Sequence, residues 1–397
     1  MKKSLVILVL ASLVSTAVQA RIKLVALPER ARVVVSLNNP EATLVEEERI
    51  LTLQKGLNHV DFSWKGVNID AASIQLRFLS HPDQIGFKTI TTSYPPNENA
   101  LVWEFPSPSA FEERVRISYL ISGFSRDVVY KAVAEPDEKA MTLRNYLRLR
   151  NNSGEDLTEA EVGIGYGANF KKTIAHEEVL EVLSERIDAL PVKKALHWDA
   201  ATQPWNPEYE KKTVGLPLYY IVKNDKASKL GTHTLLPGKA RIFIKTKEIA
   251  ETPDAKPGEG VAFTGEDWAT LTPVDRELKL FIGQSRDVKV TQNKMVDDRT
   301  NLRRNNQNQL VVWDTHEVYK IEIENFKKQA VDLIVVEHFP GYWNMVENSH
   351  PQAYKKKDAF TFEYNLTLPA ESRGEKKTTV TFNLKRLNVQ GNEPSSY

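Results

Sequence analysis

Alternation of apolar and polar residues is the feature that most constrains how this chain can fold. Three stretches show it clearly: LRNYLRLR at residues 143–150, VYKIEIEN at 318–325 and FTFEYNLTL at 360–368. Because successive side chains of a strand point to opposite faces, this pattern predicts half-buried β-strands. Turn-forming stretches such as Asn151–Gly154 and Phe339–Gly341 separate them. The sequence therefore predicts a mainly β fold of tandem antiparallel β-sandwich domains.

One segment departs from this alternation. Between Ile174 and Leu190, apolar residues recur at helical spacing, with acidic residues between them, and Pro191 follows. This pattern predicts one short amphipathic helix that packs on a sheet. A helix that binds a partner protein is the alternative.

Composition limits the classes of function. The chain has 41% hydrophobic and 26% charged residues and a net charge of +1, which favours a folded protein and gives no basic face for nucleic acid. It has no cysteine, so hydrophobic cores rather than disulfides must hold its domains together. A run rich in proline and glycine at 251–260 predicts a linker or long loop. We expect an N-terminal β domain at 21–110, a central β-sandwich at 111–250 and a C-terminal β-sandwich at 251–397.

The first twenty residues have the three parts of a secretory signal peptide. Lys2 and Lys3 precede an apolar run from Leu5 to Val14, and Val18-Gln19-Ala20 supplies small residues before a cleavage site. We expect cleavage after Ala20 and a periplasmic or secreted product. No second apolar run approaches the length of about 18 residues that spans a bilayer, so the mature chain is predicted to have no transmembrane segment.

Several stretches resemble a known bacterial family. They include RVRISYLISGFSRDVVYKAV at 114–133, LRNYLRLRNNSGEDLTEAEVGIGYG at 143–167, LLPGKARIFIKT at 235–246 and LKLFIGQSRDVKV at 278–290. In order and content they resemble the domain of unknown function 4139 family, the mucoidy-inhibitor-like exported proteins, without the coiled-coil insertion of some members. The resemblance implies tandem β-sandwich domains in the envelope or the secreted fraction. It implies no catalytic residues.

An aromatic stretch after the predicted helix is the strongest candidate for a binding surface. LHWDAATQPWNPEYEKK at 196–212 contains Trp198, Asp199, Trp205 and Tyr209. Aromatic rings beside polar groups suit contact with a glycan or a protein partner, and they equally suit a loop that fastens itself to a sheet. We predict these four residues as candidate ligand or partner contacts and keep all three interpretations.

Metal and catalytic sites have weaker support. His316 and His338, with a carboxylate from a neighbouring strand, form the candidate metal site, and no cofactor is predicted. Glu322 and Glu324 have a spacing that would suit glycoside hydrolysis, but they lie opposite Ile321 and Ile323 and are expected to face water. The sequence therefore favours an exported, soluble, non-catalytic protein that binds an envelope protein or glycan or organises the envelope. The alternative is a cell-wall or polysaccharide-processing hydrolase whose site is assembled from distant strands.

Overall fold

The computed structural model describes residues 27–39, 41–85, 90–165, 169–203, 215–247, 259–348 and 353–390. Strands dominate these residues, which confirms the mainly β prediction. Helical structure in the same ranges is limited to three-residue 3-10 turns at Ala71–Ser73, Ala200–Thr202 and Gly374–Lys376. None of the described helices is long and apolar enough to cross a membrane. The predicted signal peptide lies outside the described residues.

The strands follow one another along the whole described chain. In chain order they are β1 (Arg32–Ser36), β2 (Thr43–Leu53), β3 (Gly56–Ser63), β4 (Gln75–Phe78), β5 (Thr91–Ser93), β6 (Ala100–Ser107), β7 (Phe111–Ile121), β8 (Phe124–Ala134), β9 (Ala140–Asn151), β10 (Leu157–Gly163), β11 (Phe170–Ile174), β12 (Val179–Pro191), β13 (Lys193–Asp199), β14 (Leu216–Lys223), β15 (Gly238–Lys247), β16 (Glu259–Ala269), β17 (Glu277–Ser285), β18 (Val288–Arg304), β19 (Leu310–Asn325), β20 (Val331–His338), β21 (Tyr342–Asn348), β22 (Lys355–Lys356), β23 (Thr361–Leu368) and β24 (Thr378–Gln390).

These strands belong to two compact units. Unit 1 holds the described residues of Met1–Arg126 and Leu149–Leu180, and unit 2 holds those of Asp127–Arg148 and Glu181–Tyr397. The unit boundaries fall inside β8, β9 and β12. Of the boundaries predicted from the sequence, the one at 110 lies between β6 and β7, and the one at 250 lies outside the described residues.

Unit 1 contains two sheets. One has the strand order β11-β10-β1-β2-β7-β4, and the other has the order β3-β6-β5. In the larger sheet, β2 and β7 pair antiparallel along their full length, whereas β1 and β10 run parallel. In β1 and β7, alternate residues such as Val33, Val35, Val115 and Ile117 are apolar and buried, as the sequence pattern predicts. Fully or almost fully buried side chains of this unit include Val35, Val45, Phe62, Trp103, Phe105 and Tyr119.

Unit 2 contains three sheets, with the strand orders β12-β9-β8-β15-β16, β17-β14-β13-β20-β23-β22 and β18-β19-β24-β21. β13 and β20 run parallel at the centre of the six-stranded sheet. The alternating residues of β23, such as Phe362, Tyr364 and Leu368, are buried in one core cluster. A second core cluster includes Leu143 of β9, as predicted from its alternation, and Tyr220 of β14.

The predicted amphipathic helix at 174–190 is wrong, because residues 179–191 form strand β12. Val179 and Leu183, which would lie on the apolar face of that helix, are 46% and 48% exposed. Ile187 and Leu190 are both buried although they are three residues apart. Ala189 between them has a φ of 52°, a bulge-like conformation that adds one residue before the side chains return to the core. The extra residue places the buried Ile187 and Leu190 three positions apart, which is also the spacing of a helix face. Pro191 restricts Leu190 to extended backbone.

Candidate functional site

The structure places the residues of the predicted aromatic surface differently from one another. Trp198 lies on β13, is only 2% exposed and packs in a core cluster of unit 2. It therefore does not contribute to an exposed patch. Side chains alternate between the two faces of a strand, and the ring of Trp198 lies on the face that packs in the core. Its indole Nε1 is buried, and no hydrogen-bond acceptor reaches it from the described part of the chain. Trp205 and Tyr209 lie outside the described residues.

Asp199 and His338 were predicted for separate roles, and the structure brings them together. They lie at the carboxyl ends of the parallel strands β13 and β20, with Asp199 Oδ1 2.9 Å from His338 Nε2. The other ring nitrogen, Nδ1, lies 3.4 Å from the Thr361 hydroxyl. Asp199 Oδ1 also accepts from the amide of Ala201, at the start of a 3-10 turn. Both imidazole nitrogens thus have partners within the protein. The Asp199–His338 contact therefore links strands β13 and β20.

His316, the second histidine of the candidate metal site, lies on β19 of the four-stranded sheet, with Asp298 and Lys385 as its cross-strand neighbours. His338 lies on β20, in the six-stranded sheet of unit 2. Across the described ranges, no group of three or more His, Asp or Glu side chains is arranged to hold a metal ion.

The two glutamates weighed as a glycosidase pair have local partners. Glu322 forms ion pairs with Lys320 at 2.9 Å and Lys377 at 2.8 Å. These contacts lower its pKa, with Lys377 contributing most. Glu324 Oε1 accepts from the amide of Gly374 at 3.0 Å. The lowered pKa of Glu322 disfavours the protonated form that a general acid needs, and Glu324 is bonded to the backbone of a 3-10 turn.

Glu337 is a buried carboxyl group of unit 2 with a raised pKa. It is 2% exposed, and its Oε1 accepts from the Gln292 side-chain amide at 2.8 Å. Burial raises its pKa to about 8, the negative charge of Asp199 adds to the increase, and the Gln292 hydrogen bond opposes it. Glu337 is therefore neutral at pH 7, inside a core rather than in a cleft.

A cavity of about 310 Å³ lies in unit 1. This volume is at the lower end of the range for small-molecule sites. Its walls combine apolar and aromatic side chains with a few charged ones, which is also typical of such sites. The lining residues are Leu27, Arg30, Arg49, Asp61, Phe62, Ser63, Trp64, Val67, Ile69, Tyr119 and Glu155.

A network of ion pairs fixes one wall of the cavity. Arg30 pairs with the fully buried Glu47 and, at 2.5 Å, with Glu155. Arg49 binds the same Glu47 carboxylate, with its Nε 3.0 Å from Oε1. The Tyr119 hydroxyl donates to Glu155 at 3.3 Å. Burial disfavours the charged form of Arg30, but Glu47, Tyr119 and Glu155 outweigh it and raise the pKa of the guanidinium.

Asp61, another lining residue, has no such partner. Its Oδ1 is buried, and no hydrogen-bond donor reaches it from the residues that the structure describes. Buried carboxylate oxygens in proteins are normally hydrogen-bonded, because an unmade bond costs about 1–3 kcal/mol or more for a charged group. Because this oxygen is buried from solvent, it lies within the protein and not on the accessible wall of the cavity.

The backbone of β3 adds further polar groups. β3 is an edge strand of its sheet, and the amide of Trp64 donates to Asn99 O at 2.8 Å. Because antiparallel pairs alternate between bonded and non-bonded residues, Asp61 and Ser63 turn their N–H and C=O groups away from β6. Both residues line the cavity. The strand edge thus offers donors and acceptors beside the Asp61 carboxylate.

Aromatic rings complete the walls. The ring centroid of Phe62 lies 5.8 Å from that of Trp64 and 5.6 Å from that of Tyr119. All three side chains are less than 10% exposed, so they are held firmly by the core behind them. The cavity therefore has a rigid apolar side and a polar side.

Sequence reasoning missed this site. Its polar residues come from five separate places in the chain, namely the segment before β1, the strands β2, β3 and β7, and the turn before β10. The residues on strands sit inside ordinary alternating patterns, and Arg30 and Glu155 lie in short segments before strands, so no local motif marks the site. No protein family matches the chain, and no curated protein matches its sequence.

Proposed function

We propose that this chain is an exported binding protein and that the cavity of unit 1 holds its ligand. The observation that carries the proposal is a cavity of about 310 Å³ lined by paired charged side chains, such as Arg30 and Glu155, and by the outward-facing backbone of β3. A ligand with hydrogen-bonding groups would pair with the outward-facing N–H and C=O groups of Asp61 and Ser63 at the edge of β3. Trp64, which is 8% exposed and lines the cavity, would contribute apolar contact.

The arrangement favours binding over catalysis. Glycoside hydrolysis requires one carboxyl group that stays protonated and a second that is ionised. Glu155 is engaged by Arg30 at 2.5 Å and by the Tyr119 hydroxyl at 3.3 Å. The neutral carboxyl group of Glu337 lies in a core of unit 2. The polysaccharide-processing hydrolase therefore has less support than the binding protein.

The exported location is part of the proposal. Its support is the predicted signal peptide at residues 1–20 and the resemblance to mucoidy-inhibitor-like exported proteins. A binding protein of tandem β units in the periplasm or outside the cell would meet envelope glycans and their fragments. We propose such material as the source of the ligand, either for uptake or for organisation of the envelope.

Filling the cavity tests the proposal. Val67 lines it, so Val67→Trp should obstruct ligand entry, while Val274→Trp adds the same side chain at a 40% exposed position in unit 2. Native mass spectrometry of the full chain, incubated with a small-molecule extract of bacterial envelope, measures occupancy. We expect a bound compound in the unmodified protein and in Val274→Trp but not in Val67→Trp. Equal occupancy in all three proteins, or none in any, contradicts the proposal.

A further inference from the structure

We infer that the exposed end of the β18–β19 hairpin in unit 2 binds the surface of a membrane that contains anionic phospholipid. This hairpin end comprises residues 297–311. Three arginines supply its charge, and two exposed apolar side chains supply its contact with the lipid; they are Arg299, Arg303, Arg304, Leu302 and Val311. The inference concerns a surface that the cavity of unit 1 does not use, so either can fail without the other.

The hairpin end extends beyond the neighbouring strands of its sheet. β18 is an edge strand, and β24 borders β19 as far as Val312 in the described part of the chain. Every residue from Asp297 to Gln309 is exposed, so both faces of the hairpin are open to solvent. The side chains of this end therefore contribute little to the core and can contact another surface.

The charge of the hairpin end is positive and unbalanced. From Arg299 to Trp313 the chain has three arginines and no acidic residue, whereas the net charge of the whole chain is only +1. Asp297 and Asp298 precede this stretch, and Asp297 lies 3.5 Å from Lys294. The arginines thus form a local cationic surface on a chain that is otherwise almost neutral.

Neutral groups hold the three arginines in place. The guanidinium carbon of Arg299 lies 4.6 Å from the centroid of the Trp313 ring. Arg303 donates to Asn388 Oδ1 at 2.7 Å, and Arg304 donates to a backbone carbonyl of the turn at 2.8 Å. Among the described residues, none of the three forms an ion pair. Their charges are therefore available to an anionic partner.

The one carboxylate of β19 beside this end, that of Asp314, does not cancel these charges at the surface. Asp314 is buried, its Oδ2 accepts from the Asn301 side chain at 2.6 Å, and its Oδ1 accepts from the amide of Asn388 at 3.0 Å. Its charge is engaged inside the hairpin, while the arginines lie outside.

Apolar side chains lie among the arginines and favour a membrane over a soluble polyanion. Leu302 is 52% exposed and Val311 is 38% exposed. Both are chain neighbours of the cross-strand pair Arg303–Val312. A soluble polyanion would leave them in water, whereas the boundary between anionic headgroups and acyl chains receives cationic and apolar groups together.

The form of the hairpin end disfavours a protein partner. The pairing of β18 with β19 is interrupted between Lys294 and Val296, between Thr300 and Arg303, and between Arg303 and Arg304. Such bulges hinder the addition of another strand to an edge. A stable protein interface uses about 20–30 residues on each side, which is more than this narrow end contains.

Vesicle sedimentation tests the requirement for charge. The processed chain, which begins at Arg21 after the predicted cleavage, is mixed with phosphatidylcholine vesicles that contain either no phosphatidylglycerol or about 30% of it. Each basic residue near an anionic surface strengthens binding about fivefold, so Arg303→Gln/Arg304→Gln should weaken binding to the anionic vesicles about 25-fold. Arg276→Gln/Arg286→Gln removes the same charge at exposed positions elsewhere in unit 2 and should weaken binding less than about twofold.

A second pair of variants tests the apolar contact. Leu302→Asn should weaken binding to the anionic vesicles about tenfold, because the leucine side chain is then no longer transferred from water to lipid. Leu271→Asn, at a 58% exposed position of unit 2, is the matched control and should leave binding unchanged. Dextran sulfate, a polyanion without acyl chains, is the probe for a soluble occupant.

We expect sedimentation with the anionic vesicles, little with phosphatidylcholine alone, and weaker binding in both hairpin variants. No sedimentation, or equal sedimentation with both compositions, overturns the inference. Equal losses in Arg303→Gln/Arg304→Gln and in Arg276→Gln/Arg286→Gln would exclude the hairpin end as the site. If dextran sulfate binds as tightly as the anionic vesicles and Leu302→Asn changes neither, the occupant is a soluble polyanion. Should a hairpin variant fail to fold by circular dichroism, the unmodified chain on the two vesicle compositions and dextran sulfate still decides the occupant.

Discussion

Glu337 makes the stability of unit 2 depend on pH in a direction opposite to that of an ordinary surface carboxylate. Burial raises its pKa from 4.5 to about 8. Below pH 4.5 the carboxyl group is protonated in both the folded and the unfolded chain, so folding does not require a charge to be buried or neutralised. Above pH 4.5 the unfolded chain ionises while the folded chain stays neutral up to about pH 8, so stability falls as the pH rises.

The expected magnitude follows from proton linkage. Each pH unit in this window lowers the free energy of unfolding by about 1.4 kcal/mol, so the whole interval costs roughly 5 kcal/mol. Glu337→Gln removes the titration and keeps an oxygen that accepts from the Gln292 amide, which now bonds to Glu337 Oε1 at 2.8 Å. We therefore expect the variant to match the unmodified chain near pH 4.5 and to exceed its stability by several kcal/mol near pH 8.

Urea unfolding followed by near-ultraviolet circular dichroism at pH 5, 6, 7 and 8 measures this difference. Glu322→Gln is the control of opposite sign, because Lys377 and Lys320 lower the pKa of Glu322. That group stabilises the fold above its unfolded pKa and loses its effect as the pH falls. A stability difference between Glu337→Gln and the unmodified chain that does not grow from pH 5 to pH 8 would refute a neutral, buried Glu337.

Two further predictions test the placement of elements that the sequence pattern left ambiguous. Trp198→Ala should lower the free energy of unfolding by about 3–5 kcal/mol in chemical denaturation, because the ring is 2% exposed in a core; a loss below about 0.5 kcal/mol would place it on the surface. Ala189→Gly should raise it by about 1 kcal/mol, because glycine adopts a φ of 52° without strain. A helix at this position would give the opposite sign, a loss of about 1 kcal/mol, which thermal denaturation would reveal.

The strands could be predicted because their signal is local. In β23 and β9, apolar residues at every second position report burial on one face, and the structure buries Phe362, Tyr364, Leu143 and Leu147 accordingly. The failure at β12 has a local cause too. A residue with positive φ inserts an extra position, and periodicity alone does not distinguish that from a helical turn.

The candidate sites could be predicted only in part, because their geometry depends on which strands become neighbours. Asp199 and His338 were each recognised as polar residues worth testing, yet their 2.9 Å contact depends on the parallel pairing of β13 with β20. The cavity was harder still to predict from the sequence. Arg30, Asp61 and Glu155 are far apart in the chain, and nothing near any of them indicates that one carboxylate oxygen lacks a donor.

The most direct test of the central claim is a crystal structure of the full chain with the compound that native mass spectrometry recovers from envelope extract. The account predicts density for that compound in the unit 1 cavity, with a polar atom about 2.7–3.2 Å from a backbone N–H or C=O group of Asp61 or Ser63. Density bound elsewhere on the chain would contradict it.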